Sequence, residues 1–173
     1  MFGTFNEAEP RLPIGSFYQF NAATLALEKL ALAPVAIANS ICFSPDGTIM
    51  YYCDSPSRTI RCCDYPSLAN DRVFAQVDGP GEPDGSCVDA ESFVWNAQWG
   101  AGMVVRYAPD GRIDRTIPCP AVQPSCVAFG GAGLDQLFCS SARIGLAAPG
   151  DADGALLSTF PGATGLPENR SAP

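Results

Sequence analysis

Short runs rich in β-branched and aromatic residues, each bounded by Gly, Pro, Asp or Asn, recur along most of the chain. Runs of this length with turn residues at both ends read as β-strands. One set predicts strands at Asn39–Ser44, Thr48–Asp54, Arg58–Asp64 and Arg72–Val77, with Pro45-Asp46-Gly47 as the turn between the first two. A second set predicts Asp84–Asp89, Ser92–Gln98, Met103–Tyr107 and Arg112–Ile117, with Pro109-Asp110-Gly111 joining the last two. A third begins at Ser125–Phe129 and Leu134–Ser140, after which the pattern dissolves into Gly, Ala and Pro. Ahead of these, Phe2–Phe5, Ile14–Phe20 and Ala23–Ala31 read as the second, third and fourth strands of a further set. Ala23–Leu32 has the composition of a short helix, but the neighbouring repeats assign it to a strand.

The first two sets open alike, as Asn39-Ser40-Ile41-Cys42 and Asp84-Gly85-Ser86-Cys87, and their offset is 84 − 39 = 45 residues. A weaker third copy, Gln123-Pro124-Ser125-Cys126, follows at 123 − 84 = 39. A period of about 45 residues with four strands per unit is one propeller blade. The fold expected is therefore all-β, a partial β-propeller of four-stranded antiparallel blades forming a single, incomplete domain over residues 1–173. The first strand of a blade lines the central channel. The repeat thus sets Asn39 and Asp84 at equivalent places facing one axis, where an amide oxygen and a carboxylate suit a hard divalent cation.

Composition narrows the chemistry. A hydrophobic content of 47% with 16% charged residues is that of a globular chain. The net charge of −8 leaves no basic patch for nucleic acid, which is not expected as a partner. There is no histidine, so histidine-based nucleophilic catalysis, HExxH zinc chemistry and haem held by histidine are all excluded. Lys29 is the single lysine. Hydrolysis would have to run on carboxylates, a metal ion or both. Of the eight cysteines, Cys42, Cys87 and Cys126 fall at matching repeat positions and are expected reduced and buried, while adjacent Cys62 and Cys63 should point to opposite faces of one strand. With no signal peptide at Met1 and no long apolar span, the expected setting is the cytoplasm, with no membrane partner.

Several motifs together resemble the gluconolactonase / senescence marker protein (regucalcin) family. They are Phe2-Gly3-Thr4-Phe5-Asn6-Glu7-Ala8-Glu9, Gly15-Ser16-Phe17-Tyr18, Ala38-Asn39-Ser40-Ile41-Cys42-Phe43-Ser44-Pro45-Asp46-Gly47, and Tyr51-Tyr52-Cys53-Asp54-Ser55. Pro83-Asp84-Gly85-Ser86-Cys87-Val88-Asp89-Ala90-Glu91 and the stretch from Trp95 to Arg106 continue the likeness, which runs to about Gly165-Leu166-Pro167-Glu168. The resemblance implies a six-bladed propeller with the first blade and part of the second missing here. It also implies one divalent metal ion in the channel (calcium, zinc, iron, manganese or magnesium) and hydrolysis of sugar lactones, such as gluconolactone or a pentonolactone, to the open acid. By the same resemblance Asn39 and Asp84 are metal ligands, Asp84 is also the catalytic base, and Glu7 and Glu9 fall where the family binds substrate. The family's first metal ligand, a Glu, and its substrate-binding Arg and Asn would precede Phe2.

Two other readings stand beside the lactonase: an inactive fragment, and a propeller binding scaffold without catalysis. An open arc of blades would also expose strand edges through which chains could self-associate. Elsewhere the bland readings are preferred. Asp151-Ala152-Asp153-Gly154 lacks the closing Glu of an EF-hand loop and reads as a solvated loop. Asn169-Arg170-Ser171 is a glycosylation sequon that a cytoplasmic chain would not use. Trp95 reads as a core residue, and Trp99 as a residue of the channel mouth.

Overall fold

The computed structural model describes residues 1–167 and is built from strands alone, apart from one 3₁₀ turn at Ser55–Ser57. Four antiparallel sheets follow one another along the chain. The first holds β1 (Phe2–Gly3), β2 (Phe17–Asn21) and β3 (Ala26–Lys29). The second is β4 (Ala38–Phe43), β5 (Ile49–Asp54), β6 (Thr59–Asp64) and β7 (Arg72–Gln76), and the third is β8 (Glu82–Val88), β9 (Val94–Trp99), β10 (Met103–Tyr107) and β11 (Ile113–Pro118). The fourth holds β12 (Pro124–Gly130), β13 (Gln136–Ser141) and β14 (Leu156–Thr159). In each sheet the strands lie in sequence order, the meander of a propeller blade. The sheets pack through their first strands, β1 against β4, β4 against β8 and β8 against β12, which places these strands around one axis.

The turns form as the sequence indicates. Asp46 accepts hydrogen bonds from the Thr48 N–H (3.1 Å) and the Ser44 hydroxyl (2.6 Å), and Gly47 takes the left-handed backbone that ends the turn. Asp110 accepts from the Arg112 N–H in the same way, beside left-handed Gly111.

The core lies between the sheets, in three layers. Phe17, Leu30, Met50, Tyr52 and Cys63 fill the space between the first and second sheets. Tyr51, Cys53, Ile60, Cys62, Val94, Val105 and Tyr107 fill that between the second and third. Trp95, Ala97, Val104, Val127, Leu137 and Cys139 fill that between the third and fourth. Cys62 and Cys63 do serve opposite faces of β6, one in each neighbouring layer. Trp95 is a core residue, and its indole N–H donates to buried Asp89 (2.8 Å). Arg106 donates to the same carboxylate oxygen at 2.6 and 2.9 Å.

The structure corrects four expectations. The pattern does not dissolve after Ser140, since β14 pairs with β13 from Leu156 to Thr159. The loop before β14 is pinned by Asp153, which is buried rather than solvated. It accepts from the Val122 N–H (2.7 Å) and the Gly150 N–H (2.8 Å). The two N-terminal strands are shorter than expected, because Phe5 and Gly15 make only single bridges, to Ile37 and Val35. Cys42 is buried as expected, but Cys87 is only half-buried and Cys126 is exposed. Cys42 and Cys87 lie on the face their sheet turns towards the next one, whereas Cys126 sits at the bulge of β12, beside Gly85 of the third sheet. The sequon at Asn169 lies outside the described residues.

Candidate functional site

Three of the four inner strands carry an irregularity near their starts: between Asn39 and Cys42 in β4, between Pro83 and Ser86 in β8, and between Pro124 and Cys126 in β12. A bulge adds a residue to one strand, bends it and re-aims its side chains. Asn39 and Asp84 sit at these bulges, near the starts of β4 and β8, and both are half-buried. At Ser40 the β4 bulge takes a left-handed backbone with φ 57°.

The two side chains that the repeat pairs are brought together. Burial pushes the Asp84 carboxyl up from its usual 3.8 to about 6. Hydrogen bonding by the Asn39 amide and the Gly85 N–H pulls it back down, and the charge of Glu82 adds to the rise. Asn39 also donates through Nδ2 to the Ser55 hydroxyl at 3.1 Å.

Buried polar groups hold the main chain on both sides of Asp84. The Pro83 carbonyl accepts from Ser55 (2.7 Å) and, more weakly, from the Cys53 thiol (3.4 Å). The Asp84 carbonyl accepts from Ser40 (2.6 Å) and from Asn96 Nδ2 (3.2 Å). Asn96 is fully buried and also donates to Ser86 (3.0 Å) and Ser40 (3.2 Å), while its Oδ1 is buried without a partner. Gly85 is required between these strands: a Cβ there would stand 2.6 Å from Cys126 Sγ and 2.8 Å from Cys126 Cα.

Glu7 and Glu9 lie on the exposed loop between β1 and β2. Glu9 pairs with Arg11 at 3.5 Å, and Arg11 reaches Glu82 at 3.7 Å, so this loop touches β8 two residues before Asp84. Two cavities lie elsewhere. One of about 140 Å³ sits between the third and fourth sheets against Val104, Leu137 and Cys139, and another near Gln19, Phe43 and Tyr65 joins the first and second. Among the described residues no three His, Cys, Asp or Glu side chains cluster as a metal site. Asn39 and Asp84 nonetheless offer the donors a hard divalent cation takes: a desolvated carboxylate, and an amide whose recorded hydrogen bonds leave through Nδ2. Ser55, Ser40 and Asn96 were not foreseen from the sequence. The one signal was Asn96 itself, a polar residue inside the apolar run Val94-Trp95-Asn96-Ala97, which has to find partners once buried.

Relatives bear on this geometry. The chain is 52% identical over 151 residues to an L-arabinolactonase of Azospirillum brasilense, a match covering 84% of this chain and 49% of that protein. It is 35% identical over 150 residues to a pentonolactonase of Haloferax volcanii, covering 79% and 52%. A crystal structure of a calcium-binding protein, regucalcin, from Agrobacterium tumefaciens superposes with a TM-score of 0.83 at 31% identity, covering 95% of this chain and 58% of that one. The chain thus spans about half the length of the relatives it matches. The family model described as the SMP-30/Gluconolactonase/LRE-like region matches residues 1–143, and the chain belongs to that family.

Proposed function

We propose that this chain carries part of the site of a divalent-metal-dependent sugar lactonase, with a pentonolactone or related aldonolactone as substrate and the open sugar acid as product. One observation supports the reading: the Asn39 amide hydrogen-bonds the Asp84 carboxyl, joining the two oxygen-bearing side chains that the repeat sets in register, in a chain similar to named lactonases. Asn39 and Asp84 would hold the cation. Once bound, such a cation polarises the lactone carbonyl and stabilises the charge that develops on its oxygen.

The remaining chemistry belongs to the chain. Asp84, ionised above about pH 6, accepts the proton of the attacking water. Asn39 adds an oxygen without adding negative charge, so the cation's positive charge is preserved. Glu7 and Glu9, on the loop that Arg11 ties to Glu82, are the proposed partners of the sugar hydroxyls. Asn39 and Asp84 are two protein ligands, which supports weak cation binding and slow or absent turnover by this segment alone. A cytoplasmic setting is supported by the absence of a disulfide among the eight cysteines, all of which lie in the described residues. No helix among the described residues is long and apolar enough to cross a membrane.

The test is acid release from a pentonolactone, corrected for spontaneous hydrolysis, with and without chelator. It is run on this chain and on a protein of the relatives' full length that contains it. Activity of the longer protein that disappears in chelator and returns with cation is the expected result. Full activity in chelator would refute the mechanism.

A further inference from the structure

We infer that Ser55 is a positioning residue that fixes the orientation of the Asn39 amide and turns its oxygen to the channel axis. The argument is one of proton bookkeeping. Ser55 Oγ lies 2.7 Å from the Pro83 carbonyl oxygen. A carbonyl oxygen only accepts, so the single hydroxyl proton is spent there. Towards Asn39, 3.1 Å away, Ser55 can then only accept, and the group facing it has to be Nδ2. The other end of the amide, Oδ1, is left facing away from Ser55 as a free oxygen donor. The Asp84 carboxylate, which likewise only accepts, takes the amide's other proton, so without Ser55 a single hydrogen bond would be left to hold the amide's orientation.

The same hydroxyl also ties together the two strands that carry the site. It binds the side chain of Asn39 on β4 and the main chain of the residue just before Asp84 on β8. Ser55 is buried, so neither hydrogen bond is readily exchanged for one to water. It stands at the start of the 3₁₀ turn, where Asp54 anchors the chain by accepting from the Ala36 and Ile37 N–H groups.

The inference rests on the reading of Asn39 and Asp84 as cation ligands, and the experiment separates the two. In the cation-free chain the Asn39 side-chain NH₂ pair is followed by NMR. Wild type and Ser55→Thr should show one amide proton protected from exchange, and Ser55→Ala should lose that protection. In Mn²⁺ titrations Ser55→Ala should weaken binding about tenfold, the lower end of what loss of a ligand-orienting partner brings. Ser55→Thr should retain affinity. Tyr52→Phe, which removes the partly buried bond from the Tyr52 hydroxyl to Asp71, should change stability but not affinity.

A double-mutant cycle supplies the discriminating readout. In an Asn39→Asp background the two oxygens of the new carboxylate are equivalent and there is no amide to orient. Ser55→Ala should then cost little further Mn²⁺ affinity. An unchanged NH₂ pair in Ser55→Ala, or the same tenfold loss in both backgrounds, would overturn the inference. If wild type and Asp84→Ala take up Mn²⁺ identically, the cation-site reading falls, while the NH₂ measurement still decides whether Ser55 orients Asn39.

Discussion

Asp84 sits where burial makes its charge expensive, and the fold therefore senses the protonation of this one carboxyl. An acid whose folded pKa lies above its unfolded value stabilises the fold below the unfolded pKa and loses that contribution as pH rises through the folded one. For Asp84 the window runs from about 3.8 to about 6. Asp46, Asp110 and Asp114, whose carboxylates accept side-chain hydrogen bonds, are shifted down, so their opposite effect falls below that window. The cation-free chain should therefore lose melting temperature between pH 4 and pH 6.5, and Asp84→Asn should flatten that slope. A slope that survives in Asp84→Asn would assign it to another group. Mn²⁺ affinity should in turn fall as pH drops below about 6, because the cation needs the ionised carboxylate. Asp84→Ala and Asn39→Ala should differ in kind. The first removes a charged ligand together with the base, so it should abolish lactone hydrolysis in the full-length context. The second removes a neutral ligand, so excess cation should partly restore the rate. Rate against cation concentration distinguishes the two, and wild-type turnover by Asp84→Ala would remove it from the mechanism.

The close approach of neighbouring inner strands makes each sheet's geometry depend on the next. A Cβ on Gly85 would press on the main chain of Cys126, which cannot swing aside as a flexible side-chain tip would. Gly85→Ala should therefore cost on the order of 1–3 kcal/mol, the usual range for overpacking, read as a lower denaturation midpoint at unchanged slope. The cysteines report the same layering. In denaturant without reductant all eight thiols should react. In the native chain Cys126 should be alkylated first, Cys87 and Cys119 next, and buried Cys42, Cys53 and Cys63 last, as followed by mass spectrometry. Strand existence and order were legible because turn residues punctuate the second and third sheets at regular spacing. Their eight strands fall within two residues of where the pattern puts them. The matched positions of Asn39 and Asp84 were legible for the same reason, since a repeat in sequence becomes a rotation about an axis. What was not legible depended on contacts between sheets. β14 follows a loop of Gly, Ala and Pro and earns its place only by pairing with β13. The burial of Asp153 depends on the Val122 N–H, far off in sequence. Ser55, Ser40 and Asn96 look like ordinary polar residues until the bulges of β4 and β8 bring carbonyl oxygens to them.

At the scale of the molecule the four sheets form an arc whose first and last members each turn one face away from the others. Strand alternation decides what those faces carry. Phe17 points into the layer shared with the second sheet, so Tyr18 and Phe20, with their cross-strand partners Phe2 and Leu27, lie on the opposite face. Phe2, Phe20 and Leu27 are exposed there, and Phe2 stacks on Tyr18 at 5.6 Å. At the other end Val127, Leu137 and Cys139 point inward, which sets Ala128, Phe138 and Leu156 on the outer face, with Leu156 69% exposed. Contiguous exposed apolar groups on a pleated face favour association over solvation. The isolated chain should therefore oligomerise with rising concentration, detected by light scattering on a size-exclusion column, and should bind a hydrophobic dye. Leu27→Glu and Leu156→Lys place charges on faces that no described sheet covers, so both should reduce association while leaving the melting temperature within a few degrees of wild type. If either substitution instead unfolds the chain, that face is part of a buried core. A wild-type chain that stays monomeric at high concentration with no dye binding would show that four sheets bury enough of their own apolar surface to stand alone.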